Sequence, residues 1–231
     1  MPSVLVTGAN RGLGLEIVRY YLNQHWTVHA CCRRPDSADE LRRLFDQSHG
    51  LITIHELDVT RTRAITALRE NLAESSIDVL INNAGVSIGR ADKFGSLNYS
   101  DWTKMLNVNM LGPSAVSEAL LKNVERSVRK LIVFVSSDLA SLSGHDGRTL
   151  YYYRTSKIGL NMLMRTMALE LQDRGITSFS YHPGWIRTGM GGDKAPVDPK
   201  ESAISLGRLV ESARISISGQ YFNWKGENIS W

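Results

Sequence analysis

A tyrosine and a lysine four residues apart are the clearest candidates for chemistry in this chain. The stretch YYYRTSKIGL, residues 151–160, holds three consecutive tyrosines and then Lys157. Residues four apart lie on one face of a helix, so Tyr153 is the tyrosine whose phenol can lie beside the ammonium. Tyr151 and Tyr152 fail this test, and we expect them to pack or to contact a substrate. The same spacing also fits an ordinary surface pair, so other features must decide between the two interpretations.

Such a pair suits proton transfer to or from a substrate. The pKa of a free phenol is about 10, which makes it a poor acid–base catalyst at neutral pH. A neighbouring ammonium favours the phenolate. We therefore expect Lys157 to lower the pKa of Tyr153 toward neutrality.

A glycine-rich turn near the N-terminus suits a dinucleotide phosphate. The stretch VLVTGANRGLGLEIV places Gly8, Gly12 and Gly14 after an apolar strand and at the start of a helical pattern. Glycines allow a tight turn and a close approach of the backbone to a pyrophosphate, and a helix N-terminus offers N–H groups with partial positive charge. A purely structural turn would also use glycines, but the position after the first strand favours a cofactor turn.

The hydrophobic pattern predicts a parallel sheet covered by helices on both faces. Nearly continuous apolar runs alternate with amphipathic stretches along the whole chain. Right-handed crossovers then give an α/β, Rossmann-type, doubly wound sheet, and residues 1–231 are predicted to be one domain. The predicted strands are 3–7, 27–32, 51–59, 77–82, 130–136, 176–182 and 219–222, and the predicted helices are 13–24, 37–47, 61–74, 99–124, 153–173 and 200–213.

Composition and charge argue against several functional classes. The 231 residues are 42% hydrophobic and 22% charged, as in an ordinary globular protein. The net charge of +4 lies in short patches with acids nearby, so we expect no nucleic-acid binding. No apolar run reaches the roughly 20 residues of a membrane helix, and the N-terminal run is too short for a signal peptide.

The two cysteines are adjacent, at Cys31 and Cys32. Neighbours on a strand point to opposite faces, so we expect neither a disulfide between them nor a shared metal. A reducing compartment and a cytoplasmic location are predicted.

Taken in order, the motifs resemble those of the short-chain dehydrogenase/reductase family. TGANRGLG is similar to the T-G-x-x-x-G-x-G turn of that family, and YRTSK is similar to its Y-x-x-x-K pair. Its other landmarks are matched by NNAG (82–85), NVNMLG (107–112), VSS (135–137) and HPGWIRTGM (182–190). The resemblance spans almost the whole chain and implies a nicotinamide-dependent oxidoreductase without a metal.

The resemblance also implies four catalytic residues. Tyr153 would give a proton to a carbonyl oxygen as hydride reaches its carbon, with the positive nicotinamide of an oxidised cofactor lowering its pKa further. Lys157 would also hold the nicotinamide ribose. Ser137 would orient the substrate oxygen, with Ser136 as the alternative, and Asn109 would hold a water that relays protons to the lysine.

The gap between Ser137 and Tyr153 is longer than is usual in the family, so SLSGHDGR (141–148) resembles an insertion beside the pocket. His145 and Asp146 within it either touch substrate or are solvated turn residues. Residues 189–201 form a second irregular segment after a strand.

The end of the second predicted strand indicates the cofactor. An NAD-selective site presents an acid there, whereas this chain has Cys32 followed by Arg33 and Arg34. Arginine suits a 2′-phosphate, and Arg11 could add a second cation, so we expect NADP(H) rather than NAD(H). The implied cofactor residues are Gly8, Asn10, Arg11, Gly12, Leu13, Gly14, Arg33, Arg34, Asp58, Val59, Asn82, Ala84, Gly85, Tyr153, Lys157, Pro183, Gly184, Ile186 and Thr188.

Three segments resemble the C-factor-like and sniffer-like carbonyl reductases of that family: 138–161, 182–192 and 218–231. Trp185, Met190, Tyr151 and the 138–150 loop predict an apolar, aromatic pocket for a small aldehyde, ketone or quinone. The alternative is a cofactor-binding signalling protein with little or no turnover, since fold alone does not determine function. The complete set of four catalytic residues favours the enzyme.

The predicted helix 153–173 is apolar on more than one face, so a second face must be buried. Together with the 99–124 helix, it resembles the pair that forms dimers in the family. We therefore expect a homodimer or a homotetramer.

Overall fold

The most continuously apolar segments form one parallel sheet in the computed structural model, which describes residues 1–88 and 93–231. The strand order is β3-β2-β1-β4-β5-β6-β7, so the direction of winding reverses between β1 and β4. Ligands of doubly wound sheets bind at this reversal, and the predicted fold class is confirmed. The strands are β1 (Ser3–Thr7), β2 (Thr27–Cys32), β3 (Ile52–Glu56), β4 (Val79–Asn82), β5 (Leu131–Val135), β6 (Thr177–His182) and β7 (Tyr221–Asn223).

Helices cover both faces of this sheet, because neighbouring strand residues point to opposite sides. Val4 and Val6 of β1 belong to a core with α1, α2 and α8, whereas Leu5 belongs to a core with α3, α5 and α7. The helices are α1 (Gly12–Asn23), α2 (Asp39–Gln47), α3 (Thr62–Asn71), α4 (Tyr99–Leu106), α5 (Gly112–Ala119), α6 (Leu121–Glu125), α7 (Tyr151–Glu170) and α8 (Pro199–Ser212).

The two adjacent cysteines divide between these cores, as the strand pattern predicts. Cys31 packs with the α3–α5–α7 side and Cys32 with the α1–α8 side, and both are buried free thiols. Among the helices of the described residues, none combines the length and apolar character needed to cross a bilayer.

The prediction of one helix over 99–124 is wrong. After α4 the backbone widens into a π-helical turn, Asn107–Leu111, and then continues as α5 and the short α6. Gly112 lies against Val59 so closely that a Cβ there would meet Val59 Cγ2 at 2.8 Å, and Pro113 lacks a backbone N–H. The widened turn directs Asn109 into the core.

Helix α7 begins two residues earlier than predicted, at Tyr151, and ends at Glu170. Leu150 precedes it in the left-handed conformation, with φ of 36°, so the chain turns sharply into the helix. Met162 and Leu169 are about two-thirds exposed on its outer face. This is the second apolar face that the sequence pattern indicated.

Candidate active site

A continuous cleft of about 2420 Å³ runs along the carboxyl ends of the strands. It extends from Arg33 and Asp58 at one end, past Gly12, to Ser137 and Tyr153 at the other. Drug-sized ligands need about 300–1,000 Å³, so this volume has room for a dinucleotide together with a small second molecule.

The predicted cofactor residues gather in this cleft with one exception. Those lining it are Gly8, Asn10, Arg11, Gly12, Leu13, Gly14, Arg33, Arg34, Asp58, Val59, Ala84, Gly85, Tyr153, Lys157, Pro183, Gly184, Ile186 and Thr188. The exception is Asn82, which is buried and donates its side-chain amide to Ser117 Oγ of α5 at 2.9 Å. As the last residue of β4, Asn82 points into the helical layer rather than beyond the sheet.

The glycine turn is held in a conformation that only glycine adopts readily. Gly8 and Gly12 have φ of 67° and 54°. A Cβ on Gly14 would lie 2.2 Å from the Gly8 carbonyl oxygen, so α1 begins almost in contact with the turn. Arg11 precedes α1 without a capping hydrogen bond from its side chain, which leaves the first N–H groups of the helix available to a ligand.

Thr7 and Asn83, which the sequence reasoning missed, tie this turn to β4. Thr7 Oγ1 accepts hydrogen bonds from the backbone N–H groups of Asn83 and Ala84, both at 3.0 Å. Asn83 Nδ2 donates to the carbonyl oxygens of Thr7 at 2.9 Å and Gly8 at 3.2 Å. The NNAG motif was the available signal, but its second asparagine, rather than its first, makes the contact.

The end of the cleft beside β2 and β3 carries both positive and negative side chains. Arg33 and Arg34 are exposed directly after β2, and Glu56, opposite Cys32 on β3, lines the same end. Asp58 accepts hydrogen bonds from Thr60 N at 3.0 Å and Thr60 Oγ1 at 2.7 Å. Burial alone would raise the pKa of Asp58, but these bonds and the nearby arginines outweigh it and lower the pKa, so this carboxylate is ionised.

Ser137, Tyr153 and Lys157 converge at the opposite end. The side chain of Ser137, the second of the paired serines, lies beside the hydroxyl of Tyr153, where it favours the phenolate and lowers the pKa. Lys157 is almost fully buried, with Nζ 5.9 Å from the centre of the Tyr153 ring, and it donates to the Val135 carbonyl at 2.7 Å. The four-residue spacing therefore places the phenol and the ammonium together.

The expected lowering of the Tyr153 pKa is not what this environment produces. Burial, with a smaller contribution from the Asp138 carboxylate, raises the pKa of Tyr153 to about 12, and the Ser137 hydrogen bond offsets this only in part. Burial lowers the pKa of Lys157 to about 8. Desolvation penalises both charged forms, so the phenol holds its proton tightly at neutral pH.

Asn109 is buried and does not line the cleft; its expected role, holding a water that relays protons to Lys157, stays a prediction. Its amide donates to Val86 O at 2.9 Å and to Ser156 Oγ at 3.0 Å, and its Oδ1 accepts from Val86 N at 2.8 Å. Both side-chain N–H groups are therefore in use within the protein. Asn109 joins the segment after β4 to α7, the helix that carries Tyr153 and Lys157.

The loop between β5 and α7 contributes to the lining of the cleft near Tyr153. Asp146 forms ion pairs with Arg148 and with the buried Arg154, and the hydrogen bond and charge of Arg148 lower the pKa of Asp146 to about 2. His145 Nδ1 accepts from Gly147 N at 3.0 Å. His145 and Asp146 thus serve the loop's own turn, while Arg148 lines the cleft.

Apolar side chains surround the Tyr153 end of the cleft, as predicted, but Tyr151 is not among them. Its ring packs 6.2 Å from that of Phe94, outside the cleft, and the hydroxyl of Tyr152 accepts from Asn98 N. The predicted aromatic contribution comes instead from Trp185, whose Nε1 donates to Gly191 O at 2.9 Å. The apolar and aromatic lining residues here are Leu139, Leu150, Trp185 and Met190.

A further tyrosine, Tyr221 of β7, supports Ser137 from behind. Its buried hydroxyl donates to the Ser137 carbonyl, and its ring stacks on Trp231 with centres 5.4 Å apart. The carbonyl oxygen of Trp231 in turn accepts from Leu142 N at 2.8 Å and Ser143 N at 3.0 Å. No local pattern predicts this support, because Tyr221 lies 84 residues from Ser137.

Residues 2–198 match the family model described as short chain dehydrogenase. The chain belongs to the short-chain dehydrogenase family. C-signal of Myxococcus xanthus is 33% identical over 165 residues, 71% of this short-chain dehydrogenase and 99% of that protein. The NADPH-bound carbonyl reductase from chicken fatty liver is 32% identical, with a TM-score of 0.91 over 100% and 99% of the two chains. The carbonyl reductase Sniffer of D. melanogaster is 29% identical, with a TM-score of 0.95 over 100% of both.

The buried lysine of this short-chain dehydrogenase makes its stability depend on pH. The pKa of Lys157 is about 8 in the folded chain against an ordinary value of 10.5, so the unfolded chain binds more protons between these values. Stability contributed by this group therefore rises with pH across that window. We expect the unfolding free energy of the wild-type chain, relative to Lys157→Met, to increase by about 3 kcal/mol from pH 7.5 to 11.

Denaturant unfolding of both proteins across this pH range measures the effect. Other titrating groups cancel in the difference between the two curves. If the unfolding free energies of the two proteins changed with pH by the same amount, Lys157 would not be buried as described.

The support from Tyr221 is expected to matter for turnover. Tyr221→Phe removes the hydroxyl that fixes the Ser137 carbonyl, so we expect kcat of the dehydrogenase to fall about tenfold while dinucleotide binding stays unchanged. Tyr181→Phe is the matched control, because the equally buried Tyr181 hydroxyl donates to Ser202 O at 2.8 Å, away from Ser137. Steady-state kinetics and thermal unfolding compare the two variants. An equal loss of kcat in both would argue against a specific role for Tyr221.

Proposed function

We propose that this short-chain dehydrogenase is an NADP(H)-dependent reductase of small carbonyl compounds, with Tyr153 as the proton donor. The observation that carries the proposal is the convergence of Tyr153, Ser137 and Lys157 at one end of a cleft. The other end of the same cleft holds the glycine turn and a pair of arginines. A chain that only sensed the cofactor would need the turn but no proton donor.

The residues of the cleft fit NADP(H). The N-terminal turn of α1 and the glycines before it form a cradle for a pyrophosphate, and Gly12 approaches Thr188 so closely that a Cβ would lie 3.2 Å from Thr188 Cγ2. Arg33 and Arg34, with Arg11 nearby, supply cations for a 2′-phosphate. When bound, NADPH supplies the hydride. The NADPH in the chicken carbonyl reductase, a similar protein, supports this choice.

Tyr153 is suited to donate rather than accept a proton. With a pKa of about 12, its phenol remains protonated throughout the physiological range and can give a proton to the oxygen of a carbonyl group as that oxygen gains charge. The Ser137 hydroxyl, which lies beside that of Tyr153, orients the same oxygen. The protonated form of Lys157 stabilises the phenolate that remains.

The size and character of the remaining space favour a small aldehyde, ketone or quinone. The apolar side chains around the Tyr153 end suit the hydrocarbon part of such a compound. Both solved relatives named above are carbonyl reductases.

We also propose that the chain is one domain, acts as a homodimer or homotetramer and works in the cytoplasm. The exposed Met162 and Leu169 on α7 support an interface on that helix, because isolated monomers rarely leave such an apolar face uncovered. The single sheet with both faces covered supports the one-domain proposal.

Replacing the proposed proton donor is the most direct test. In Tyr153→Phe we expect kcat for carbonyl reduction to fall by about 10²–10⁴, the usual contribution of a general acid, while NADPH affinity stays near that of the wild type. Tyr151→Phe is the matched control, because it removes the same hydroxyl two residues away and outside the cleft. NADPH oxidation with a panel of aldehydes, ketones and quinones measures kcat, and fluorescence titration measures the affinity.

Unchanged turnover in Tyr153→Phe would refute the mechanism. A wild-type chain that binds NADPH tightly and reduces no carbonyl would instead support the second candidate, a cofactor-binding signalling protein, for which the similarity to C-signal is the observation in favour.

The preference for NADPH over NADH is expected to depend on the arginines after β2. Arg33→Ser and Arg34→Ser each remove a cation from the cleft, so we expect KM for NADPH to rise about tenfold or more and KM for NADH to change little. Arg43→Ser is the control, because Arg43 pairs with Glu40 on the exposed surface of α2. Equal changes with both cofactors, or a wild type that prefers NADH, would contradict this assignment and point to Glu56 as the ribose ligand.

A further inference from the structure

One carboxylate lies beside the proposed proton donor and has no part in the reaction described above. Asp138 follows Ser137 at the end of β5 and begins the short turn Asp138–Ala140. Its side chain is 55% exposed and lines the cleft next to Ser137 and Tyr153. A carboxylate in this place faces whatever molecule occupies the Tyr153 end of the cleft.

The charge of Asp138 is only partly offset by the groups around it. Its Oδ1 accepts from Ser137 Oγ at 3.1 Å and lies 3.8 Å from His182 Nδ1. Burial lowers the pKa of His182 despite the attraction of Asp138, so the imidazole is neutral at neutral pH. Arg148 lines the same cleft and attracts Asp138, but its guanidinium forms its ion pair with Asp146. Within residues 1–88 and 93–231, Oδ2 of Asp138 has neither a hydrogen-bond donor nor an ion-pair partner.

The position of Ser137 brings a bound substrate within reach of this carboxylate. Ser137 Oγ donates to Asp138 Oδ1 at 3.1 Å and lies beside the Tyr153 hydroxyl. When Ser137 turns its proton toward a carbonyl oxygen held between Ser137 and Tyr153, that oxygen lies roughly 5–6 Å or less from Asp138, two hydrogen-bond lengths. A hydroxyl or amino group on the carbon next to that carbonyl can donate to Oδ2. A carboxylate or phosphate at the same place would meet a like charge.

We propose that Asp138 selects carbonyl substrates that carry a hydrogen-bond donor, a hydroxyl or an amino group, on the carbon next to the carbonyl. The proposal rests on the reductase function proposed above and specifies its substrate class. A substrate hydroxyl that donates to Asp138 gains a hydrogen bond to a charged group, which the analogue without a hydroxyl cannot make. Hydroxyketones, hydroxyaldehydes and aminoketones are the matching compounds, and 2-oxo acids are disfavoured.

A set of small ketones of similar size tests the selection. Hydroxyacetone and aminoacetone carry the donor, 2-butanone lacks it, and pyruvate carries a carboxylate instead. For the wild-type enzyme we expect kcat/KM for hydroxyacetone to exceed that for 2-butanone by about ten- to a hundredfold, the usual effect of a hydrogen bond to a charged group. We expect aminoacetone, as an ammonium, to be at least as good a substrate, and pyruvate to be the poorest.

In Asp138→Ala we expect the ratio of kcat/KM between hydroxyacetone and 2-butanone to fall close to one. The ratio is the informative quantity, because any disturbance of Ser137 affects both substrates alike. Asp138→Asn keeps the size and an acceptor oxygen but loses the charge, so it should retain part of the preference for hydroxyacetone and lose the additional preference for aminoacetone. Asp173→Asn removes one negative charge far from the cleft and should leave both ratios unchanged.

Each possible result either supports or overturns the selection by Asp138. Equal kcat/KM for hydroxyacetone and 2-butanone in the wild type, efficient reduction of pyruvate, or a ratio unchanged in a folded Asp138→Ala variant would overturn the selection by Asp138 alone. Turnover of none of the carbonyls by the wild type would overturn the reductase function, and the selection with it.

Discussion

The hydrogen bonds between Thr7 and Asn83 join the ends of β1 and β4, the two strands between which the sheet reverses its winding. A parallel sheet leaves unpaired backbone groups where its strands end, and here the side chains of one strand satisfy those of the other. The glycine turn is thereby held against β4 rather than left as a mobile loop. The part of the cleft that would hold the pyrophosphate takes its position from this junction.

The same segment connects the two halves of the site. After Asn83 the chain passes through Gly85, where a Cβ would lie 3.4 Å from Asn109 Oδ1 and 3.7 Å from Lys157 Nζ. Val86 then exchanges hydrogen bonds with Asn109, which also holds Ser156 on α7. One short stretch of backbone, residues 83–86, thus links the residues that would bind phosphate to those that would move protons. This link explains why the glycine-turn motif and the Tyr–Lys motif occur together with NNAG.

Much of this could be predicted from the sequence, because the decisive signals are local. Continuous apolar runs identified the strands, and the spacing of Tyr153 and Lys157 identified which tyrosine faces the ammonium. The direction of the Tyr153 pKa could not be predicted, because pairing with Lys157 was considered without the desolvation that accompanies it. The roles of Tyr221 and Asp138 could not be predicted either, because both depend on the folded chain. Tyr221 reaches Ser137 from a strand that is distant in the sequence, and the surroundings of Asp138 are set by residues from other elements.

The π-helical turn at Asn107–Leu111 has a consequence for how the chain can change length. A π-helical turn holds one more residue than the α-helical turn it replaces, so deleting a single residue there would let α4 and α5 run on as one regular helix. Each residue of an α-helix turns the chain by about 100°, and Asn109 would then swing away from Val86 and Ser156. We therefore expect this chain to tolerate exchanged side chains around the turn more readily than the gain or loss of a residue within it.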